Sequence, residues 1–102
     1  MLFGKKKKFW VWSGGSEKWT SKAEVKADVI NFINEVSKVR GVEVSEVRSI
    51  TKEDRGDSYW DLTHYFYAQV KCSEEARDRV MDIFQNSHHL VYETKNPLSK
   101  WI

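Results

Sequence analysis

The sequence predicts an α+β domain with the element order β-α-β-β-α-β. Three observations carry that prediction. The run from Tyr59 to Cys72 alternates strictly between two sets of side chains, and two apolar stripes recur at helical spacing, each opened by a capping serine, Ser21 and Ser73. Alternation with period two marks a strand, and recurrence at three and four residues marks a helix with one buried face.

The elements follow in order. Lys8 to Ser13 alternates Phe9 and Val11 with Trp10 and Trp12, a first strand, and Ser13-Gly14-Gly15-Ser16 reads as the turn that ends it. Ser21 followed by Glu24 is a capping box. From there Val25, Val29, Phe32, Ile33 and Val36 describe an amphipathic helix of roughly four to five turns, ending near Arg40-Gly41. Val42 to Thr51 is β-branched and only half-alternating, a second strand whose phase the pattern leaves open. Lys52 to Ser58 is a charged hairpin turn. In the third strand Trp60, Leu62, His64, Phe66, Ala68 and Val70 share one face, and Asp61, Thr63, Tyr65, Tyr67, Gln69 and Lys71 the other. Ser73 caps the second helix, with Glu74 and Glu75 where carboxylates meet the positive end of the helix dipole. Its stripe is Ala76, Val80, Ile83 and Phe84. Leu90 to Thr94 is a short last strand, and Pro97 breaks the chain before a tail with Trp101 and Ile102.

Offsetting the chain by 51 residues lays Val25 on Ala76, Val29 on Val80 and Ile33 on Phe84, an internal repeat of pattern between two β-α-β halves. Right-handed crossovers put both helices on one side of the sheet. The expected architecture is a four-stranded sheet with two helices on one face, a ferredoxin-like two-layer sandwich. Residues 1–102 are expected to form one domain: 1–7 a basic N-terminal tail, 8–51 the first half, 59–94 the second and 95–102 a C-terminal tail.

Composition narrows the function classes. Seventeen basic residues against fifteen acidic ones give a net charge of +2, too balanced to imply nucleic acid by itself. The longest strictly apolar run, Phe9 to Trp12, falls far short of the ~20 residues that span a bilayer, so no membrane association is expected. Lone Cys72 fits a reducing compartment and a small buried hydrophobe. A cytoplasmic location follows as the expectation.

With both helices on one side, the opposite side of the sheet faces water or a partner. If Phe9, Val11, Phe66, Ala68 and Val70 point to the helices, then Trp10, Trp12, Tyr65 and Tyr67 point away. Lys7, Lys8 and Lys71 are expected at the rim of that aromatic patch. Such patches mark binding sites. The same face has three candidate covers: the chain's own tail with Trp101 or a second copy, a foreign protein, and nucleic acid. A one-residue slip in either strand exchanges the faces.

Phe9-Trp10-Val11-Trp12-Ser13-Gly14 and Thr63-His64-Tyr65-Phe66-Tyr67-Ala68-Gln69-Val70 together resemble the two strand motifs of the RNA recognition motif family. The resemblance implies base stacking on Trp10, Tyr65 and Tyr67. Thr63, His64 and Phe66 stand where the family has a basic residue, a glycine and a small residue, and the asparagine of the first motif is missing. Size, motif content and a Trp-rich, charge-dense composition also resemble the small proteins of hyperthermophilic archaeal viruses, which implies the host cytoplasm.

No spacing of cysteines or histidines suits a metal, and His88-His89 point to opposite faces of a strand. No metal or other cofactor is expected. His64 falls on the helix-facing phase, as a hydrogen-bonded core histidine. Asp54, Asp57 and Asp61 read as turn and solubility residues. The first loop, Ser13 to Glu17, has neither the arginine of an acylphosphatase nor the lysine of a phosphate-binding loop. The expected function is therefore a non-enzymatic module that binds a protein or peptide, or itself, through the aromatic face or the cleft between the halves. Interspersed acids and bases place single-stranded nucleic acid second, and Trp and Tyr are the residues of protein hot spots.

Overall fold

Ten residues from Lys7 to Ser16 form β1, and the chain continues as α1 (Lys22–Ser37), β2 (Val42–Val44), β3 (Arg48–Arg55), β4 (Trp60–Cys72), α2 (Glu74–Gln85), β5 (Val91–Glu93) and α3 (Leu98–Trp101). The computed structural model describes residues 6–55, 60–87 and 89–101, with backbone alone for 54, 55 and 60. The expectations for Tyr59, Asp57, His88 and the first five residues of the basic tail lie outside the described residues.

Every strand pairing is antiparallel, and the sheet runs β2-β4-β1-β5 with β3 also on β4. β4 therefore lies between β1 and β2, and β1 between β4 and β5. Each of the units β1-α1-β2 and β4-α2-β5 is split by a strand of the other.

The helices form where their caps and stripes say. Ser21 and Ser73 accept the N–H of Glu24 and Ala76. Val25, Val29, Phe32, Ile33 and Val36 of α1 and Ala76 and Val80 of α2 are buried, and they meet Phe9 and Val11 of β1 and Phe66, Ala68, Val70 and Cys72 of β4 in one core. Gly41, at φ +86°, turns the chain from α1 into β2; its carbonyl accepts from Ser73 N–H. A left-handed residue there suits glycine.

The sheet corrects several expectations. First, the single strand Val42 to Thr51 is two strands. Val44 faces Val70 and Arg48 faces Tyr67, so Ser45, Glu46 and Val47 stand opposite only Ala68 and Gln69. One residue too many on one side is a β-bulge. Ser45 N–H donates to the Gln69 carbonyl at 2.9 Å, and the Gln69 N–H donates to Ser45 Oγ at 2.8 Å. The bulge inverts the alternation: Val42 and Val44 face the helices, whereas Arg48 and Ile50 pair with Tyr67 and Tyr65 on the other side.

Second, β1 does not end at Gly14-Gly15 but pairs with β4 as far as Ser16 opposite Thr63. A Cβ on Gly14 would lie 2.6 Å from Tyr65 Cδ1, so the glycine makes room for a cross-strand ring rather than for a turn. Third, Lys52 to Arg55 belong to β3 instead of a turn. Fourth, the described residues form five strands in the sheet and three helices, because the bulge divides one strand and the C-terminal tail folds into α3. The basic tail likewise ends sooner than expected, since Lys6 pairs with Glu43 at 2.9 Å and Lys7 opens β1.

Candidate functional site: the aromatic face of the sheet

Register decides which side chains share the face away from α1 and α2, because directly paired residues point the same way. Lys8, Trp10, Trp12, Gly14 and Ser16 of β1 stand beside Lys71, Gln69, Tyr67, Tyr65 and Thr63 of β4. Glu93 and Val91 of β5 pair with Trp10 and Trp12. The four aromatics singled out from alternation thus lie together on one face. Lys8 and Lys71 share it.

Lys7 does not. It pairs with Cys72, a core residue on the helix side, and lines a cavity of about 340 Å³ with Phe9, Arg77, Met81 and Tyr92. The expectation that Lys7 rims the aromatic patch is corrected by the phase of β1. Burial holds the Cys72 thiol above its ordinary pKa, with Arg77 and Lys7 pulling the other way.

The face is not bare. Trp101, from α3, stacks on Tyr65 with ring centroids 4.4 Å apart and planes 18° apart. It meets Trp12 edge-on at 5.3 Å and Tyr67 at 5.7 Å. These are the offset and edge geometries that ring quadrupoles favour. Trp101 and Tyr67 are buried in consequence, at 8% and 7% exposure, so Tyr67 is a floor residue rather than an open contact. Trp12 and Tyr65 are half-buried. Trp10 is also half-buried and has its ring contact with Tyr67 at 6.1 Å.

Glu93 organises the rim of this cluster. Its carboxylate accepts from Trp12 Nε1–H at 3.4 Å and from the Lys100 ammonium. The Lys100 hydrogen bond, with a smaller part from Trp12, holds the Glu93 carboxyl below its usual pKa. At the other corner Lys6 does the same for Glu43, with Lys71 adding to it. Among the described residues, the rim therefore carries both signs of charge.

A second polar cluster lies where β3 and β4 extend together. His64 is buried, as expected of a core histidine. Its Nε2 lies 2.7 Å from Glu17 Oε1 and its Nδ1 lies 2.8 Å from Thr51 Oγ1. A carboxylate only accepts, so Nε2 donates to Glu17, while Nδ1 shares a hydrogen bond with the Thr51 hydroxyl. Ser16 Oγ donates to Asp61 at 2.6 Å, and the Glu17 N–H donates to the Leu62 carbonyl. Together these bonds pin the β1–α1 turn to the hairpin. Among the described residues no group of three His, Cys, Asp or Glu side chains is placed to hold a metal ion, and no helix is long and apolar enough to cross a membrane.

Two residues escaped the sequence reading. Glu93 ties Trp12 to Lys100, which only the strand register reveals. Trp19, in the turn after β1, is 85% exposed. It falls outside both the β1 alternation and the α1 stripe, and that displacement is the signal that it would not be buried.

No protein-family model and no curated protein sequence matches the chain. Among solved structures it is similar to the crystal structure of the stable protein CutA1 from the psychrotrophic bacterium Shewanella sp. SIB1. The identity is 11%, the match covers 96% of this chain and 94% of that one, and the TM-score is 0.37. A likeness that loose bears on neither fold nor function here.

Proposed function

We propose that the chain is a non-enzymatic binding module that takes a protein or peptide on the aromatic sheet face, around Trp10. One observation carries the reading: this face already receives an aromatic side chain from outside the sheet, the Trp101 ring stacked on Tyr65. A surface that accepts an indole from one polypeptide segment has the shape and chemistry to accept one from another. Trp10 is half-buried and meets the Tyr67 ring, which the Trp101 ring also meets. Large aromatic rings in a partly desolvated setting are the usual anchors of protein interfaces. The mixed rim of Lys8, Lys71, Glu43 and Glu93 suits a protein surface better than a phosphate chain, which rewards one sign of charge. Single-stranded nucleic acid ranks second because two of the rings it would stack on, Tyr65 and Tyr67, are covered by Trp101.

On this reading the domain is a ferredoxin-like sandwich whose second strand is bulged and whose C-terminus adds a short helix on the open face, and the protein acts in the cytoplasm. Capture from a native-host extract by immobilised wild type and Trp10→Ala, side by side, tests the function. The expected result is a partner retained by wild type and lost by a Trp10→Ala chain with unchanged circular dichroism. Equal capture by both, or oligonucleotide binding that falls steeply with salt, overturns the proposal.

A further inference from the structure

The segment after β5 is held to the body by few groups. Thr94, Lys95 and Asn96 are exposed. Among the described residues, the hydrogen bonds of 94–101 stay local: Leu98 N–H to Asn96 Oδ1, Ser99 Oγ to the Asn96 carbonyl, Lys100 N–H to the Pro97 carbonyl. The exception is Lys100 to Glu93. Pro97 and Trp101 are the buried residues of the segment. No strand ladder ties it down beyond Glu93. Segments held by a few side chains while their backbone bonds stay local open well below the global unfolding free energy.

The slot itself is specific. Tyr65 offers a flat face, Trp12 an edge and Tyr67 a tilted floor. The Glu93 side chain, 16% exposed, stands beside it with a cation already on its carboxylate. A flat ring next to an ammonium satisfies every one of these groups, whereas an aliphatic side chain leaves the stacking face and the carboxylate unused.

Building on the function proposed above, we infer that the slot of Trp12, Tyr65 and Tyr67 is a receptor for a peptide segment presenting an aromatic ring beside a cation, and that Asn96–Trp101 is its resident competitor. The tail both displays the chemistry of the ligand and guards the site. A tether as short as Thr94 to Asn96 gives an effective concentration on the order of millimolar. An external peptide with a Kd of about 0.1 mM for the vacated slot therefore binds the intact chain about tenfold more weakly.

The test uses the full chain carrying Lys100→Ala and Trp101→Ala, which vacates the slot, titrated calorimetrically with a synthetic peptide of residues 95–102. The expected result is saturable one-to-one binding, at least about tenfold tighter than to the wild-type chain and lost when the peptide carries Trp101→Ala. A folded variant that does not bind, or one that binds no better than wild type, overturns the inference. So does a variant that dimerises without taking peptide, since a second copy then owns the face. So does a variant that cannot fold, since Trp101 is then core. A second measurement needs no variant. In native-state hydrogen exchange the Trp101 indole N–H should exchange at least about a hundredfold faster than the Val29 and Val70 amides; equal rates contradict a displaceable tail. Partner capture that depends on Trp10 but is indifferent to the peptide leaves the proposed function standing and removes only this inference.

Discussion

Phe32→Ala is expected to lower the unfolding free energy by about 3–5 kcal/mol, the range for removing a buried aromatic. Phe32 is 1% exposed on the sheet-facing side of α1 and meets the Phe84 ring of α2 edge-on at 6.0 Å. Among the described residues it is the largest fully buried side chain, in one core with the β-branched Val29, Val36 and Val80. Those residues cannot swing in to fill the space, so the cavity persists and the cost sits high in the range. Against a total of about 5–15 kcal/mol for a domain of this size, that is a large share. Urea denaturation reads it as a lower midpoint with an unchanged slope. A loss below about 1 kcal/mol would mean that α1 is not packed as described.

The second large effect belongs to the other face. Tyr67→Ala is expected to cost about 3 kcal/mol, at the low end because the tail above it can follow the collapse. Tyr67 is buried in the central strand β4, between Trp10 and Trp101. Its loss removes the floor of the slot as well as a core contact, so adding Tyr67→Ala to the Lys100→Ala, Trp101→Ala chain should abolish peptide binding. Tyr67→Phe keeps the ring and should recover most of both. Thermal denaturation of the pair separates ring packing from the hydroxyl. A Tyr67→Ala chain as stable as wild type would contradict the burial of this face.

Much of this organisation was legible in the sequence, and the rest was hidden for identifiable reasons. Ser21 and Ser73 announce their helices because capping is local. The alternations along β1 and β4 placed Trp10, Trp12, Tyr65 and Tyr67 on one face because the two strands pair without interruption. The phase of the second strand was illegible because a bulge at Ser45 to Val47 flips it midway, and a bulge is set by the partner strand as much as by its own residues. Gly14 looked like a turn because a glycine under a cross-strand ring and a glycine in a turn are the same letter. The docking of Trp101 is a contact over more than thirty residues of chain, which no local pattern records. It nevertheless matches one of the covers considered for the face, the chain's own tail.

Binding on the aromatic face is tested most directly by following the indole N–H signals of the five tryptophans by NMR as the captured partner is added. The Trp10 signal is expected to shift or broaden first, with Trp12 and Trp101 responding as the slot rearranges, while exposed Trp19 stays where it is. A Trp19 signal that moves while Trp10 does not would rule out the aromatic face and shift the interface to the turn after β1.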